Sequence, residues 1–365
     1  MDVIPPANPI FTKEMEKAAI DALRHERFIL GESVDKFEEE FAKYVGTDYA
    51  VSVSSGTNAL HLALLAVDLP IGGEVITVAS SYIATSNSIL HANGTPIFCD
   101  INDEYTIDVN EIPKKISNRT RGIMPVHLYG YPADMDEINK IADKNRKFVI
   151  EDCAQSHGAF YKGKMTGNFS DMSCFSFYST KNMTVCGDGG MVTTNYKKFA
   201  EKIKLLRNHG QYPKDVHTIL GYTARLNTVN AAIGRVQLKH LPKWIEERRS
   251  IAEKYRKLLS DVDEIILPPG DSKDKKPSYH LFEIRTKKRD ALLKFLRDNK
   301  IICLIHYPTP IPYQPLYKSI FGIKEGSFPK SQELSSQAMD LPMFPGLKDE
   351  QIKYISEKIH EFYNR

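Results

Sequence analysis

Three polar clusters in this 365-residue chain carry residue types that could do chemistry. Ser54-Ser55-Gly56-Thr57 precedes a helical stretch with Leu60, Leu64 and Val67 on one face. Free backbone N–H groups and the dipole at a helix start can hold a phosphate, although serines there are also ordinary caps. Glu151-Asp152-Cys153-Ala154-Gln155 closes the apolar run Phe148–Glu151. A carboxylate at such a strand end can hold a proton on a ligand, or simply stabilise a turn. The third cluster, Ser176-Phe-Tyr-Ser-Thr-Lys181-Asn182, is followed by Gly187-Asp-Gly-Gly190. Its lysine becomes a nucleophile if its surroundings keep it neutral, and is a solvated surface charge if they do not.

The elements that must position these clusters are legible as alternating periodicities. Short apolar runs at Glu74–Val78, Pro96–Cys99, Gly122–His127, Phe148–Glu151, Ser173–Phe177 and Met191–Thr194 read as strands, with an extended run beginning at Tyr49 before them. Helical stretches separate several of them, such as Met135 to Lys144. The pattern predicts an α/β fold with a mostly parallel sheet covered on both faces. Such sheets bind ligands at the carboxyl ends of their strands, where all three clusters fall. An earlier helix is expected over Val34–Tyr44, capped by Ser33 and stopped by Gly46. After residue 200 a long helical stretch, Asn227 to Leu259, is expected to break at Pro242. A strand (Tyr279–Arg285), a helix (Asp290–Asn299), a strand (Ile301–Ile305) and a closing helix with Ile352, Ile355, Ile359 and Phe362 follow. Two domains are expected, a large one over residues 1–240 and a smaller α+β one over 241–365.

Composition narrows the partners. Lys and Arg number 49 against 46 Asp and Glu, a formal net charge of +3, and the basic residues are interleaved with acids, so nucleic acid is not expected as a partner. The five cysteines form no C-x-x-C pair and have no histidine at ligand spacing, which argues against a disulfide framework or a zinc site. No apolar run approaches the length of a membrane span, and the amino-terminal Met1-Asp-Val-Ile-Pro-Pro has no leader pattern; a cytoplasmic protein without membrane association is expected.

Taken together the three clusters match the needs of pyridoxal phosphate: a phosphate cup, an acid for the ring nitrogen, an imine-forming lysine and an aromatic platform. Gly56, Thr57 and the Ser176 hydroxyl can supply the cup, Asp152 the acid and Lys181 the lysine, with Tyr82 as the candidate platform. Tyr82 reads equally well as an ordinary half-buried tyrosine.

With those residues in hand, the chain resembles the nucleotide-sugar aminotransferases of DegT/DnrJ/StrS type, pyridoxal-phosphate enzymes of fold type I. The resemblance spans essentially the whole sequence. It includes Ser55-Gly-Thr-Asn-Ala-Leu60, Tyr82-Ile-Ala-Thr85, His127-Leu-Tyr-Gly130, Glu151-Asp-Cys-Ala-Gln155, Ser176-Phe-Tyr-Ser-Thr-Lys-Asn182, Arg207-Asn-His-Gly210, His306-Tyr-Pro308 and Leu341-Pro-Met-Phe-Pro345, in family order. It implies a three-layer large domain plus a small carboxyl-terminal domain. It makes Lys181 and Asp152 the catalytic pair and adds Gln155 as a partner for the cofactor's phenolic oxygen. The resemblance also implies a homodimer with active sites at the subunit interface. The segment Gly221-Tyr-Thr-Ala-Arg-Leu-Asn227 matches the stretch that enters the partner's site, with Thr223 where many members have Asn; Arg225 or Asn227 would then contact the cofactor phosphate.

Lysine at position 181 also points to transamination, because relatives that remove a sugar hydroxyl carry histidine there. The expected reaction moves an amino group, with glutamate as donor, onto a keto group of a nucleotide-linked deoxysugar. The run from His306 to Tyr317 resembles a segment used near the sugar by members that aminate carbon 3, with Pro312 where His is usual, and reads otherwise as a proline-rich loop. A 3-keto-6-deoxyhexose is expected, with a 4-keto sugar as the alternative. His306, Tyr307, Tyr317, His209 and Arg225 are the expected substrate contacts. A cofactor-dependent dehydratase and a non-catalytic, cofactor-binding regulator are the other readings.

Overall fold

A computed structural model describes residues 2–364; Met1 and Arg365, the outer ends of the two expected domains, lie outside them. Seven strands form the central sheet: β1 (Tyr49–Val53), β2 (Glu74–Val78), β3 (Thr95–Cys99), β4 (Thr120–Met124), β5 (Phe148–Asp152), β6 (Met172–Ser176) and β7 (Gly190–Thr194). In space they run β3-β2-β4-β5-β6-β7-β1. β7 is antiparallel to both neighbours, and the remaining pairs are parallel.

Alternation along the strands sends side chains to two helix layers. Val51, Val53, Val75, Met124, Ile150, Met172 and Val192 pack with the helices Gly56–Ala66 and Lys197–Leu206. On the opposite face Ile76, Val78, Ile123 and Val149 meet Met135–Asn145 and the far half of Thr228–Leu259, while Ala50, Phe175 and Met191 meet Glu32–Val45. Because both faces are covered, these strands read as continuous apolar runs.

Four local expectations need correction. The helix Thr228–Leu259 runs unbroken for 32 residues through Pro242. Proline removes one backbone hydrogen bond, but Leu238 and Leu241 before it and Trp244, Ile245, Ile251 and Tyr255 after it are buried, and that packing outweighs the loss. The expected 240/241 domain boundary therefore falls inside a continuous helix. The second helix begins at Glu32 with Gly31 at its cap, and Ser33 lies within its first turn, where its backbone N–H and hydroxyl both donate to Glu26. Ile301–Ile305 is not a strand: Ile301 pairs singly with Ile4 and Leu304 singly with Asp340, so the segment is a connection threaded between two elements. The expected strand Gly122–His127 is shifted to Thr120–Met124, and Val126 makes only an isolated bridge to Asp152.

The carboxyl-terminal third builds on a two-stranded sheet, Phe282–Arg285 against Ala338–Leu341, with the helices Arg289–Asp298 and Asp349–Tyr363. Its core is continuous with the central-sheet residues Ile76 and Ile123. Among the described residues no helix is long and apolar enough to cross a membrane.

Candidate active site

The carboxyl ends of β2, β5 and β6 and the start of the helix Gly56–Ala66 converge on one region. Ser55 caps that helix, its hydroxyl accepting from Asn58 N–H at 3.1 Å. A Cβ built on Gly56 would sit 2.6 Å from Ser176 Cβ and 3.2 Å from its Cα, so the helix start and the end of β6 touch backbone to backbone only because residue 56 is glycine. The N–H groups of the first helical turn and the Ser176 hydroxyl thus lie together, as a phosphate cup requires.

Asp152 is the last residue of β5 and is buried. Thr85 donates its hydroxyl to Oδ2 at 2.8 Å and Ala154 its backbone N–H to Oδ1 at 3.1 Å. Burial pushes this carboxyl above its usual range, against the pull of those two bonds and of the Lys181 charge. No Lys or Arg forms an ion pair with Asp152 among the described residues. A buried carboxylate with two donors and no fixed cation is suited to a cationic N–H brought by a ligand.

Lys181 follows β6 and is only partly exposed. Burial lowers its ammonium from 10.5 to about 8, with the Asp152 charge opposing the shift. A substantial neutral fraction near physiological pH is what a nucleophilic amine requires and what a fully solvated lysine lacks. Ala7–Ile10, Arg248 and Phe344 wall a narrow cleft on its flank.

Gln155 is held from two sides, its Oε1 accepting from Tyr129 N–H at 2.6 Å and its Nε2 donating to the Tyr307 hydroxyl at 3.1 Å. The second Nε2 hydrogen is left for a ligand oxygen. Tyr82 is 56% exposed, with its ring 5.8 Å from that of Tyr307. An exposed aromatic beside an otherwise buried site is what a platform for a planar ligand needs.

Beneath Asp152, His127, Glu151 and Cys153 approach one another closely enough to resemble metal ligands. Their hydrogen bonds assign another task. Ala133 N–H donates to His127 Nδ1 at 3.0 Å, so Nε2 carries the hydrogen that meets Glu151 at 3.0 Å. Glu151 also accepts from Gly167 N–H, Phe169 N–H, Ser170 and Ser173. Burial raises its carboxyl, and the bonds from His127, Gly167 and Phe169 more than reverse that, leaving it below the usual range. Glu151 is thus an ionised bracket that fixes the end of β5.

The remaining expected residues separate into three groups. His306 and Tyr307 adjoin the cluster through Tyr307–Gln155. His209, Arg225 and Asn227 do not join it: His209 Nε2 lies 3.0 Å from the Thr223 hydroxyl, Arg225 donates to Asn208 at 2.9 Å, and Asn227 is an exposed helix cap. Tyr317 is wholly buried against Phe98, its hydroxyl donating to Asn87 at 2.8 Å, so as placed it anchors Pro315–Phe321 and offers no face to a substrate. Thr85 and Tyr129, which hold Asp152 and Gln155, were not among the expected contacts, although both lie in the motifs Tyr82-Ile-Ala-Thr85 and His127-Leu-Tyr-Gly130.

The profile of the DegT/DnrJ/EryC1/StrS aminotransferase family matches residues 9–360. The chain belongs to this family. A pleiotropic regulatory protein of Geobacillus stearothermophilus is 40% identical, over 96% of this chain and 94% of its own length. The dTDP-3-amino-3,6-dideoxy-alpha-D-galactopyranose transaminase of Aneurinibacillus thermoaerophilus is 39% identical, over 97% of each chain. The crystal structure of S. venezuelae DesV superimposes with a TM-score of 0.94 at 37% identity, over 96% of this chain and 95% of that one. The chain is thus a sugar aminotransferase that uses pyridoxal phosphate. The buried Asp152 carboxylate with no fixed cation, the depressed Lys181 amine and the glycine-dependent cup fit that cofactor on the structure's own terms.

Proposed function

We propose that this aminotransferase moves an amino group from glutamate to a 3-keto-6-deoxyhexose carried on a nucleoside diphosphate. The observation that carries the reading is Lys181 as a partly neutral amine close enough to feel the Asp152 charge. When bound, pyridoxal phosphate supplies an electron sink that eases proton loss from the carbon bearing the amine. The protein's own groups do the rest. Asp152, fixed by Thr85 and Ala154, holds a proton on the ring nitrogen. With the cofactor bound, the free Nε2 hydrogen of Gln155 would be available to its phenolic oxygen, Tyr82 would serve as the ring's platform, and Gly56, Thr57 and Ser176 would hold the phosphate. Lys181 takes a proton from one carbon and returns it to another, as a general base and then a general acid with an operating range near neutrality.

His306 and Tyr307 adjoin Gln155 and are assigned to the sugar side. The name of the Aneurinibacillus relative, a 3-amino sugar transaminase, supports carbon 3. A 4-keto substrate is the second reading, supported by a GDP-perosamine synthase at 38% identity. We assign His209, Arg225 and Asn227 to the active site of a partner subunit in a homodimer, with Arg225 directed to substrate and Asn227 to the cofactor phosphate. The side-chain hydrogen bonds of His209 and Arg225 go to residues outside the Lys181 cluster, which supports this, as does the apolar hollow of about 270 Å³ lined by Leu23, Phe28, Ile29 and Asn227. The loaded enzyme should be incubated with glutamate and a panel of 3-keto and 4-keto nucleotide sugars, and the products identified by mass and NMR. A 3-amino sugar is expected; amination at carbon 4 alone would replace the first reading by the second, and no amine with any donor would refute both.

A further inference from the structure

The small two-stranded sheet sets two acids against each other. Glu283 and Asp340 are direct cross-strand partners, 0% and 2% exposed. Both oxygens of Glu283 and Oδ1 of Asp340 lack a donor, although the two carboxyls are within hydrogen-bonding reach once one carries a proton. Opposed buried carboxylates cannot both stay ionised without a compensating cation.

Asp340 has the stronger claim to the charge, because its Oδ2 lies 2.6 Å from Nδ1 of His306. Glu283 has no such partner. The titratable groups facing it are Asp340, Cys303, Tyr129, Tyr105 and Arg289. Arg289 is committed to Asp290 and to the carbonyls of Ser335 and Ala338. Burial first, and then the Asp340 charge, hold the Glu283 carboxyl well above the carboxylate range.

His306 links this pair to the active site. Its carbonyl accepts from the Tyr129 hydroxyl, and the next residue, Tyr307, accepts from Gln155. The imidazole is 28% exposed, and its Nε2 has no partner among the described residues. We infer that Glu283 is a neutral acid whose O–H donates to Asp340, and that the pair positions His306, through its Nδ1–H, so that Nε2 is presented to the substrate. Glu283 and Asp340 are thus positioning residues, and the assignment rests on His306 being a substrate contact.

Infrared spectra of the ligand-free protein test the proton. The wild type should show the carbonyl band of a neutral carboxylic acid, shifted in D2O and missing from Glu283→Gln, whose fold is checked by circular dichroism. Asp340→Asn should alter the ¹⁵N shifts of His306 and raise KM for the keto sugar roughly tenfold with kcat changed far less, the loss of one charge-assisted bond at a binding group. A missing band, or one that persists in Glu283→Gln, overturns the shared proton. Wild-type ¹⁵N shifts and KM in Asp340→Asn overturn the positioning role. If both tests succeed while His306→Asn leaves KM unchanged, the acid pair stands and His306 falls as a substrate contact.

Discussion

Lys181 should be a stability liability of the cofactor-free protein. Its ammonium titrates near 8 in the fold against 10.5 when exposed. Below pH 8 the lysine is charged in both states, and the fold bears the full cost of an ion in poor surroundings. The difference corresponds to about 3 kcal/mol. Lys181 retains some solvent contact, and water screening reduces the figure to about 2 kcal/mol. Lys181→Met keeps a long unbranched side chain and removes the charge, so the cofactor-free variant should be more stable than the wild type by about that amount at neutral pH. The sign of the pH dependence follows from linkage. Between the folded and unfolded values the native wild type has shed its proton while the unfolded chain retains it, so wild-type stability rises with pH across that window. The advantage of Lys181→Met should therefore shrink above pH 8 and vanish above about pH 10.5. Urea unfolding of both cofactor-free proteins at several pH values reads this directly. A variant less stable at neutral pH, or a gain that does not change with pH, would refute the reasoning.

Two further outcomes follow from the site. Gly56→Ala drives a methyl group against the Ser176 backbone and should weaken pyridoxal-phosphate binding at least about tenfold while the fold survives, as read by cofactor titration and circular dichroism. Thr85→Val removes a donor from the buried Asp152 carboxylate, which raises that carboxyl further; kcat should fall about tenfold and the acid limb of the pH profile should move upward, in steady-state kinetics.

Much of the site was legible because its residues sit at ends of elements that announce themselves. Phe148 to Glu151 is an apolar run too short for a helix, so Asp152 had to lie at a strand end. Gly56 followed two serines at a helix start, a local pattern independent of the fold around it. The failures are tertiary in origin. Pro242 reads as a break until the buried flanks on both sides of it are known. Tyr317 resembles an open polar aromatic until Phe98 and Asn87 close around it. Glu283 sits in a strand whose alternation gives no hint that its cross-strand neighbour would be another acid, since pairing between residues 283 and 340 is invisible in a linear pattern. The proposed roles of His209, Arg225 and Asn227 rest on a second chain, which one sequence read by its own periodicities does not display.

Lys181 is the residue proposed to bond the cofactor. Reduction of the loaded protein with borohydride, followed by proteolysis and mass mapping, fixes that bond where it forms. A pyridoxyl group is expected on the peptide containing Lys181, and none after prior treatment with glutamate. A label on any other lysine, or no label on a protein that holds the cofactor, would contradict it.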